Sequence, residues 1–414
     1  MKVLLLTQVL PYPPDSGPKV KTWNVLKYLA RQHEVTLVSF VRGDQTAAIE
    51  HLRGYCRAVH TVPMSRNPLH DAVAMGRSFL SGEPWMMVRD DRAAMRQLID
   101  RLARETHFDV VHADQLNMAQ YAERVPGARK ILDAHNALWL LYQRLWQTMR
   151  FGPRQLLLGR DWRLLKTYEG RVCREFEGVL AVSDEDRAAL TEAMGAERPI
   201  TVIPIAVDTD EIPVVAHAPE ANHLLHIGTM YWPPNIDGML WFLREAYPLI
   251  RAQYPVAQLD VVGARPPQEL LDFNAQNVGV NVTGYVPDPA PYLQQAGVFI
   301  VPLRAGGGMR VKILEALSRG LPLVTTALGC EGIAVEHGRH VLIADSPADF
   351  AAAVLRLLQD RAFADELGRA GRALIEDTYD YRAACRPMDA LYQPSGVRGP
   401  ASGISGQRSA VSHQ

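Results

Sequence analysis

Short continuous apolar runs alternate with stretches of helical periodicity from the first residues onward. KVLLLT (2–7) has an unbroken apolar centre, as a parallel strand covered on both faces requires, and VTLVSF (35–40) repeats the pattern. Between them lie the loop PYPPDSG and a helical spacing through Trp23, Leu26, Leu29 and Ala30, which together make a βαβ unit. VVH (110–112), KILDAH (130–135), VLAVS (179–183) and ITVIPI (200–205) are predicted to continue this first sheet. A second series starts at HLLHIG (223–228), followed by a helical spacing through Leu240, Trp241, Leu243 and Tyr247. QLDVVG (258–263), VNVTGYV (280–286), VFIVPL (298–303) and PLVTT (322–326) supply its further strands. YPPDSG (12–17) and YWPPNIDG (231–238) each precede a Trp-bearing helix, so the two series share a plan.

The pattern predicts an α/β protein of two domains, 1–207 and 208–376. Residues 346–375 read as two helices. DTYDYRAACRPMDALYQ (377–393) reads as a terminal helix that packs back on the first domain, limited by Pro387. The Gly/Ser/Pro-rich stretch 394–414 cannot bury a core and is expected to be a disordered tail. A length of 414 residues agrees with two cores rather than one.

Charge and cysteines narrow the class. A formal net charge of −1 gives no bulk attraction for nucleic acid. Cys56, Cys173, Cys330 and Cys385 form no CxxC pair, so neither a disulfide framework nor a zinc site is expected. The apolar run at the N-terminus is too short for a secretory segment and no window reaches membrane-spanning length, so a cytoplasmic location is expected.

RAGGGMRVKILEALSRG (304–320) carries the candidate chemistry. A buried strand ends, Gly306, Gly307 and Gly308 make a loop, and Val311–Arg319 reads as a helix stopped by Gly320. Bare backbone at a helix N-terminus suits a phosphate. Arg310 can recognise a diphosphate in bidentate fashion, Lys312 offers a point charge, and Glu315 suits ribose hydroxyls. The alternative is a flexible turn before an exposed helix with a Lys–Glu pair. Neither a G-x-x-x-x-G-K-[ST] loop nor a G-x-G-x-x-G after the first strand is present.

With FDVVHAD (108–114), LDAHN (132–136), VLAVSDEDR (179–187), VIPIAVD (202–208), LLHIGTM (224–230), DVVGA (260–264), VTGYVPD (282–288) and GGGMRVKILEALSRGLPLVTT in this order, the chain resembles family 4 glycosyltransferases of the GT-B fold. The GGGMRVKILEA variant is similar to sugar transferases of exopolysaccharide loci. The resemblance implies two Rossmann-like domains facing a cleft. It also implies transfer of a sugar from a nucleotide-diphosphate donor to a glycan or lipid-linked acceptor, with retention and without a metal or other cofactor. His135, Arg310 and Lys312 are then the catalytic candidates. Gly17, Gly228, Gly263, Tyr285, Val286, Gly306, Gly307, Gly308 and Glu315 are the donor-binding candidates. Two departures stand out. Glu315 matches the second of the family's paired glutamates, but Gly307 occupies the first position, and no Arg or Lys follows the first strand of the second domain. A nucleotide-sugar 2-epimerase and a non-catalytic binding protein of the same fold remain alternatives.

Other candidates have plainer readings. His112 is expected to end a strand, and Asp133 and Asn136 to support or cap. Asp184-x-Asp186 looks like a helix start and Asp208-x-Asp210 like a solvated loop, so neither is assigned a metal. Between Arg144 and Arg174 basic residues outnumber acidic ones among several leucines. That stretch (144–174) reads either as a helix lying on an anionic membrane surface, on its inner face, or as a solvated charged face. Phe79, Leu80, Trp85, Met86 and Met87 form a second patch that is either lipid-facing or core.

Overall fold

A computed structural model describes residues 1–215, 222–276, 279–306 and 308–393. Gly307 and the expected tail, 394–414, lie outside the described residues. The first half holds a seven-stranded sheet. Its strands are β1 (Lys2–Thr7), β2 (Glu34–Val41), β3 (Ala58–Pro63), β4 (Val110–Asp114), β5 (Arg129–Asp133), β6 (Gly178–Ala181) and β7 (Thr201–Val202). They lie in the order β3-β2-β1-β4-β5-β6-β7, all parallel. The second half holds a six-stranded sheet. Its strands are β8 (His223–Ile227), β9 (Gln258–Val262), β10 (Val280–Gly284), β11 (Ala296–Val301), β12 (Leu323–Thr325) and β13 (Leu342–Ile343). They lie in the order β10-β9-β8-β11-β12-β13, again all parallel.

The continuous apolar runs are explained by burial on both faces. Along β1, Leu4 and Leu6 enter one core while Val3 and Leu5 enter the other. Along β11, Val298 and Ile300 face one core of the second half, and Phe299 and Val301 face its other. This is the two-domain α/β architecture of the GT-B fold. In each sheet the strand order reverses beside the first strand, between β1 and β4 and between β8 and β11. A crevice opens at the carboxyl edge of such a reversal, and there ligands of open α/β sheets bind.

Several local expectations need correction. β3 and β13 were not foreseen: AVHTVP is a half-exposed edge strand ending in proline, and LI is only a two-residue strand. ITVIPI contributes only Thr201–Val202. His135 lies beyond the end of β5, and His112 sits inside β4 rather than at its end.

The final segment is also not one helix. It consists of Ile375–Tyr379, Tyr381–Ala384 and Arg386–Tyr392, interrupted where Asp380 adopts extended backbone and pairs with Val207. Tyr381, Ala384, Cys385, Met388 and Tyr392 join the core of the first half. Asp380 ties the crossing together: it accepts from the Thr209 hydroxyl at 2.7 Å, the Arg382 backbone N–H at 2.9 Å and Arg382 Nε at 2.7 Å. These bonds hold its carboxyl down at about 2 against the opposing effect of burial. All four cysteines are buried and free.

Asp380→Ala removes a helix cap and leaves Arg382 and Thr209 without their shared acceptor. It should lower stability by about 3 kcal/mol, read as a lower thermal midpoint at neutral pH. An unchanged midpoint would mean that this crossing does not hold the chain's end.

Candidate functional site

β11 runs into Pro302 and Leu303, and the chain then turns through Gly306 (φ 105°) and Gly308 (φ 82°). Both angles lie where a side chain is strained, which is why the loop is glycine. Arg310 stands at the N-cap of helix Val311–Ser318 in extended backbone, and no side chain caps that end. Ile313, Leu314 and Leu317 bury one face of the helix, so Lys312 and Glu315 look into the crevice.

Lys312 is the most unusual charge in the site. Its Nζ donates to Asn235 Oδ1 at 3.0 Å and lies 3.4 Å from His226 Nε2. Both partners are neutral. His226 is fully buried in β8, and its Nδ1 donates to the Ile300 carbonyl at 2.9 Å, which leaves Nε2 as the lone pair facing the ammonium. Burial and the nearby Lys312 charge hold His226 well below its ordinary value. Burial, with help from the Arg310 charge, lowers Lys312 to about 7. Among the described residues the ammonium has no carboxylate at ion-pair distance, so the Lys312–Glu315 pair of the alternative reading is not made. Glu315 is itself raised by burial, which Arg319 and Lys312 offset in part. Arg310 is lowered by burial. Lys312, beside Arg310 and a bare helix N-terminus, can therefore accept an anion.

The first half contributes a second cluster. His135 Nε2 is 2.9 Å from Asp114 Oδ1, which also accepts from the Thr22 hydroxyl at 2.9 Å. The carboxylate thereby fixes the imidazole with Nε2–H as donor and Nδ1 as acceptor. Behind it Lys21 Nζ meets Asp133 Oδ1 at 2.5 Å with both groups buried. Burial alone would raise the Asp133 carboxyl, but Lys21, His112 and His135 hold it well below the usual range. His112 is structural: its Nδ1 lies 2.5 Å from the Tyr392 hydroxyl, in the returning segment. Asp114, Asp133 and His135 bring ligand atoms within 4.8 Å of one another, the spacing of a metal site. Lys21 already donates to Asp133 Oδ1, and Thr22 and His135 to Asp114 Oδ1, while Asp133 Oδ2 is buried without a hydrogen-bond partner.

Two adjoining cavities of about 430 and 440 Å³ lie between the halves. Gly17, Trp232, Gly306 and Met309 line both. His135 and Lys21 line the first with Gly308, while Arg310, Lys312, Glu315 and Gly228 line the second. A Cβ on Gly17 would sit 3.7 Å from Val311 Cγ2, so the helix beginning at Gly17 abuts the helix beginning at Val311. Gly263 lies behind Gly228, its α-carbon so close that a Cβ would fall 1.6 Å from the Gly228 carbonyl oxygen. Tyr285 is 76% exposed, and Val286 packs on an apolar cluster of the second half.

The acidic pairs have structural partners. Ser183 caps the helix starting at Asp184, Lys27 pairs with Asp208 at 2.5 Å, and Arg382 pairs with Asp210 at 2.6 Å. Asp208 and Asp210 are thus ion-paired rather than merely solvated. Lys21, Asp114, His226, Asn235 and Trp232 were not singled out from the sequence. A histidine within HLLHI, on a strand covered on both faces, was the one available signal among them.

Comparison with known proteins agrees with this arrangement. The family model described as Glycosyltransferase Family 4 matches residues 16–211, and that described as Glycosyl transferases group 1 matches 221–360. An uncharacterised 44.6 kDa protein in the cps region of Klebsiella pneumoniae is 20% identical over 395 residues, covering 92% of this chain and 96% of that one. A GDP-mannose-dependent alpha-(1-6)-phosphatidylinositol monomannoside mannosyltransferase of Mycobacterium tuberculosis is 30% identical over 214 residues, covering 47% of this chain and 56% of that enzyme. The fold matches that of Anabaena HepE, solved in complex with UDP, with a TM-score of 0.63 at 14% identity over 95% of this chain and 99% of that one. The fold and cleft are those of the GT-B glycosyltransferases. The chain belongs to glycosyltransferase family 4 and is similar to a protein of a cps region.

A Cβ at Gly228 would meet Lys312 Nζ at 2.5 Å, and that ammonium, on a flexible stem, would have to move. The same Cβ would stand 3.1 Å from Asn235 Nδ2 and 3.2 Å from His226 Nε2, so Gly228→Ala should lower the thermal midpoint slightly while weakening inorganic pyrophosphate binding at least about tenfold by calorimetry. Unchanged binding would separate Lys312 from anion recognition.

Proposed function

We propose that this glycosyltransferase takes a hexosyl group from a nucleotide-diphosphate sugar and passes it, with retention of configuration, to a glycan or lipid-linked acceptor of a cell-surface polysaccharide. The observation that carries this reading is Lys312, a cation held by neutral groups beside Arg310 and an uncapped helix N-terminus. The leaving diphosphate gains negative charge as the glycosidic bond breaks, and positive groups already in place stabilise that charge most in the transition state. Arg310, Lys312 and the amides of Gly306, Gly308 and Val311 would do this without a metal, and Glu315, one turn on, would accept from the ribose hydroxyls. His135, oriented by Asp114, would act on the sugar or acceptor from the first cavity. The UDP complex of the structural neighbour and the cps-region relative support the donor class and the polysaccharide role.

A thermal-shift screen with UDP, GDP and ADP should raise the midpoint for one of them, since a ligand at a hundred times its Kd adds about 2.7 kcal/mol. Lys312→Ala should reduce that shift without removing it and lower donor turnover on the order of 100-fold, the scale of losing one preorganised charge contact. His135→Ala should keep the shift while slowing turnover. A product of inverted anomeric configuration would contradict retention. Epimerised sugar and free nucleotide diphosphate formed without acceptor would mark a 2-epimerase instead. No shift with any nucleotide would overturn the donor site.

A further inference from the structure

Three helical segments of the first half leave unusually apolar faces uncovered. Helix Pro68–Ser81 buries only Ala74 and Ser78, and helix Leu138–Thr148 buries only Trp139. Leu69, Val73, Phe79 and Leu80 of the first are exposed, Leu80 at 91%. Leu141 and Leu145 of the second are exposed in the same way. The turn after that helix presents Phe151 at 87% exposure, and helix Pro153–Glu175 adds Leu156 and Leu157. Met86 and Met87, by contrast, are buried in the core and Trp85 is half-buried, so only the Phe79–Leu80 part of the earlier patch reaches solvent.

These faces are joined in space. The Arg160 guanidinium donates to the Ser78 carbonyl at 2.6 Å and lies 4.3 Å over the Phe79 ring. That contact ties the end of helix Pro68–Ser81 to the helix carrying Leu156 and Leu157. Helices Leu138–Thr148 and Pro153–Glu175 are paired through Trp146 and Trp162, whose rings are 6.2 Å apart. Glu169 accepts from the Leu138 and Trp139 amides at 3.1 and 3.0 Å, so that hairpin is anchored at its base while its tip faces out.

Charge within these segments is mostly basic, although Glu185 pairs with Arg144 and exposed Glu83 stands just past the first helix. Arg66, Arg77, Arg150 and Arg154 are exposed around the apolar groups. Residues 138–160 contain no acidic side chain, and residues 66–82 contain only Asp71. Phenylalanine and leucine flanked by arginine match an interface with anionic headgroups above and acyl chains below. A second copy is the wrong partner, because a two-fold contact through this face would set the same arginines against each other. Among the described residues no helix is long and apolar enough to cross a membrane, so contact would be from one side.

We propose that the outer faces of helices Pro68–Ser81 and Leu138–Thr148, with the Phe151–Leu157 turn, dock the protein on an anionic phospholipid bilayer. Leu141 and Arg144 also line the first cavity, so the docked face reaches the rim of the cleft. Resting on the transfer reading above, this makes a lipid-linked acceptor, entering along helix Leu138–Thr148, the substrate class for that cavity.

Flotation of the full chain with phosphatidylcholine vesicles, with and without about one third phosphatidylglycerol, tests the surface without any nucleotide. The wild type should float with the anionic vesicles only and be released by salt. Leu80→Ser with Phe151→Ser, and separately Arg150→Glu with Arg154→Glu, should each weaken flotation at least tenfold. Both variants should keep the wild-type melting point and its nucleotide-induced shift. Wild type that does not float with anionic vesicles, or variants that float as the wild type does, would overturn the proposal. So would a wild-type dimer in light scattering that the serine pair converts to monomer. Flotation as expected, with no nucleotide shift in any protein, would leave the docking surface standing and remove the donor reading instead.

Discussion

In an all-parallel sheet every strand leaves by the same edge, so loops and helix N-termini collect there whatever their place in the sequence. This chain imposes that constraint twice and sets the two edges face to face. Gly17 follows β1, His135 follows β5, Gly228 follows β8, and the Gly306–Arg310 turn follows β11. Four segments far apart in the chain thereby share one crevice. Its walls are rigid because both faces of each sheet are covered, and because the last residues of the chain return to the first half through Asp380 and Tyr392.

The electrostatics of the two walls differ in kind. On the first wall the Lys21 ammonium answers the Asp133 carboxylate, and His135 Nε2 donates to Asp114. On the second, Lys312 Nζ rests against a neutral histidine and an amide. A paired cluster orients groups and resists ligand-driven change. An unpaired, desolvated cation is costly until an anion arrives, and the fold supports it only because β8 and helix Pro233–Trp241 hold its neutral partners in place. The difference between the two walls thus has a physical basis as well as a topological one.

Strands such as KVLLLT and VFIVPL were legible because burial on both faces writes a continuous apolar run. AVHTVP was not, since an edge strand half in water carries His60 and Thr61 among its apolar residues. The GGGMRVKILEA stretch was legible as a glycine turn leading into a helix, although its middle glycine, Gly307, lies outside the described residues. What sequence reading could not supply was pairing across distance. Lys21 meets Asp133 112 positions away, and Lys312 meets Asn235 77 positions away. Local spacing instead suggested Lys312 with Glu315, one helical turn apart, and burial of the ammonium toward His226 overrode it. Local periodicity does not say which leucines of Leu138–Thr148 meet a core, and the structure leaves Leu141 and Leu145 exposed.

The central claim is that Lys312 waits for a diphosphate. Burial lowers it to about 7, so near pH 8.5 it is mostly neutral, and an anion beside it must raise its proton affinity. Titration calorimetry of the stabilising nucleotide diphosphate at about pH 8.5, in buffers of different ionisation enthalpy, measures that proton directly. Uptake approaching one proton per site is expected for the wild type and none for Lys312→Met, with wild-type affinity falling as pH rises above about 7. Equal uptake in both proteins, or none in the wild type, would contradict the account.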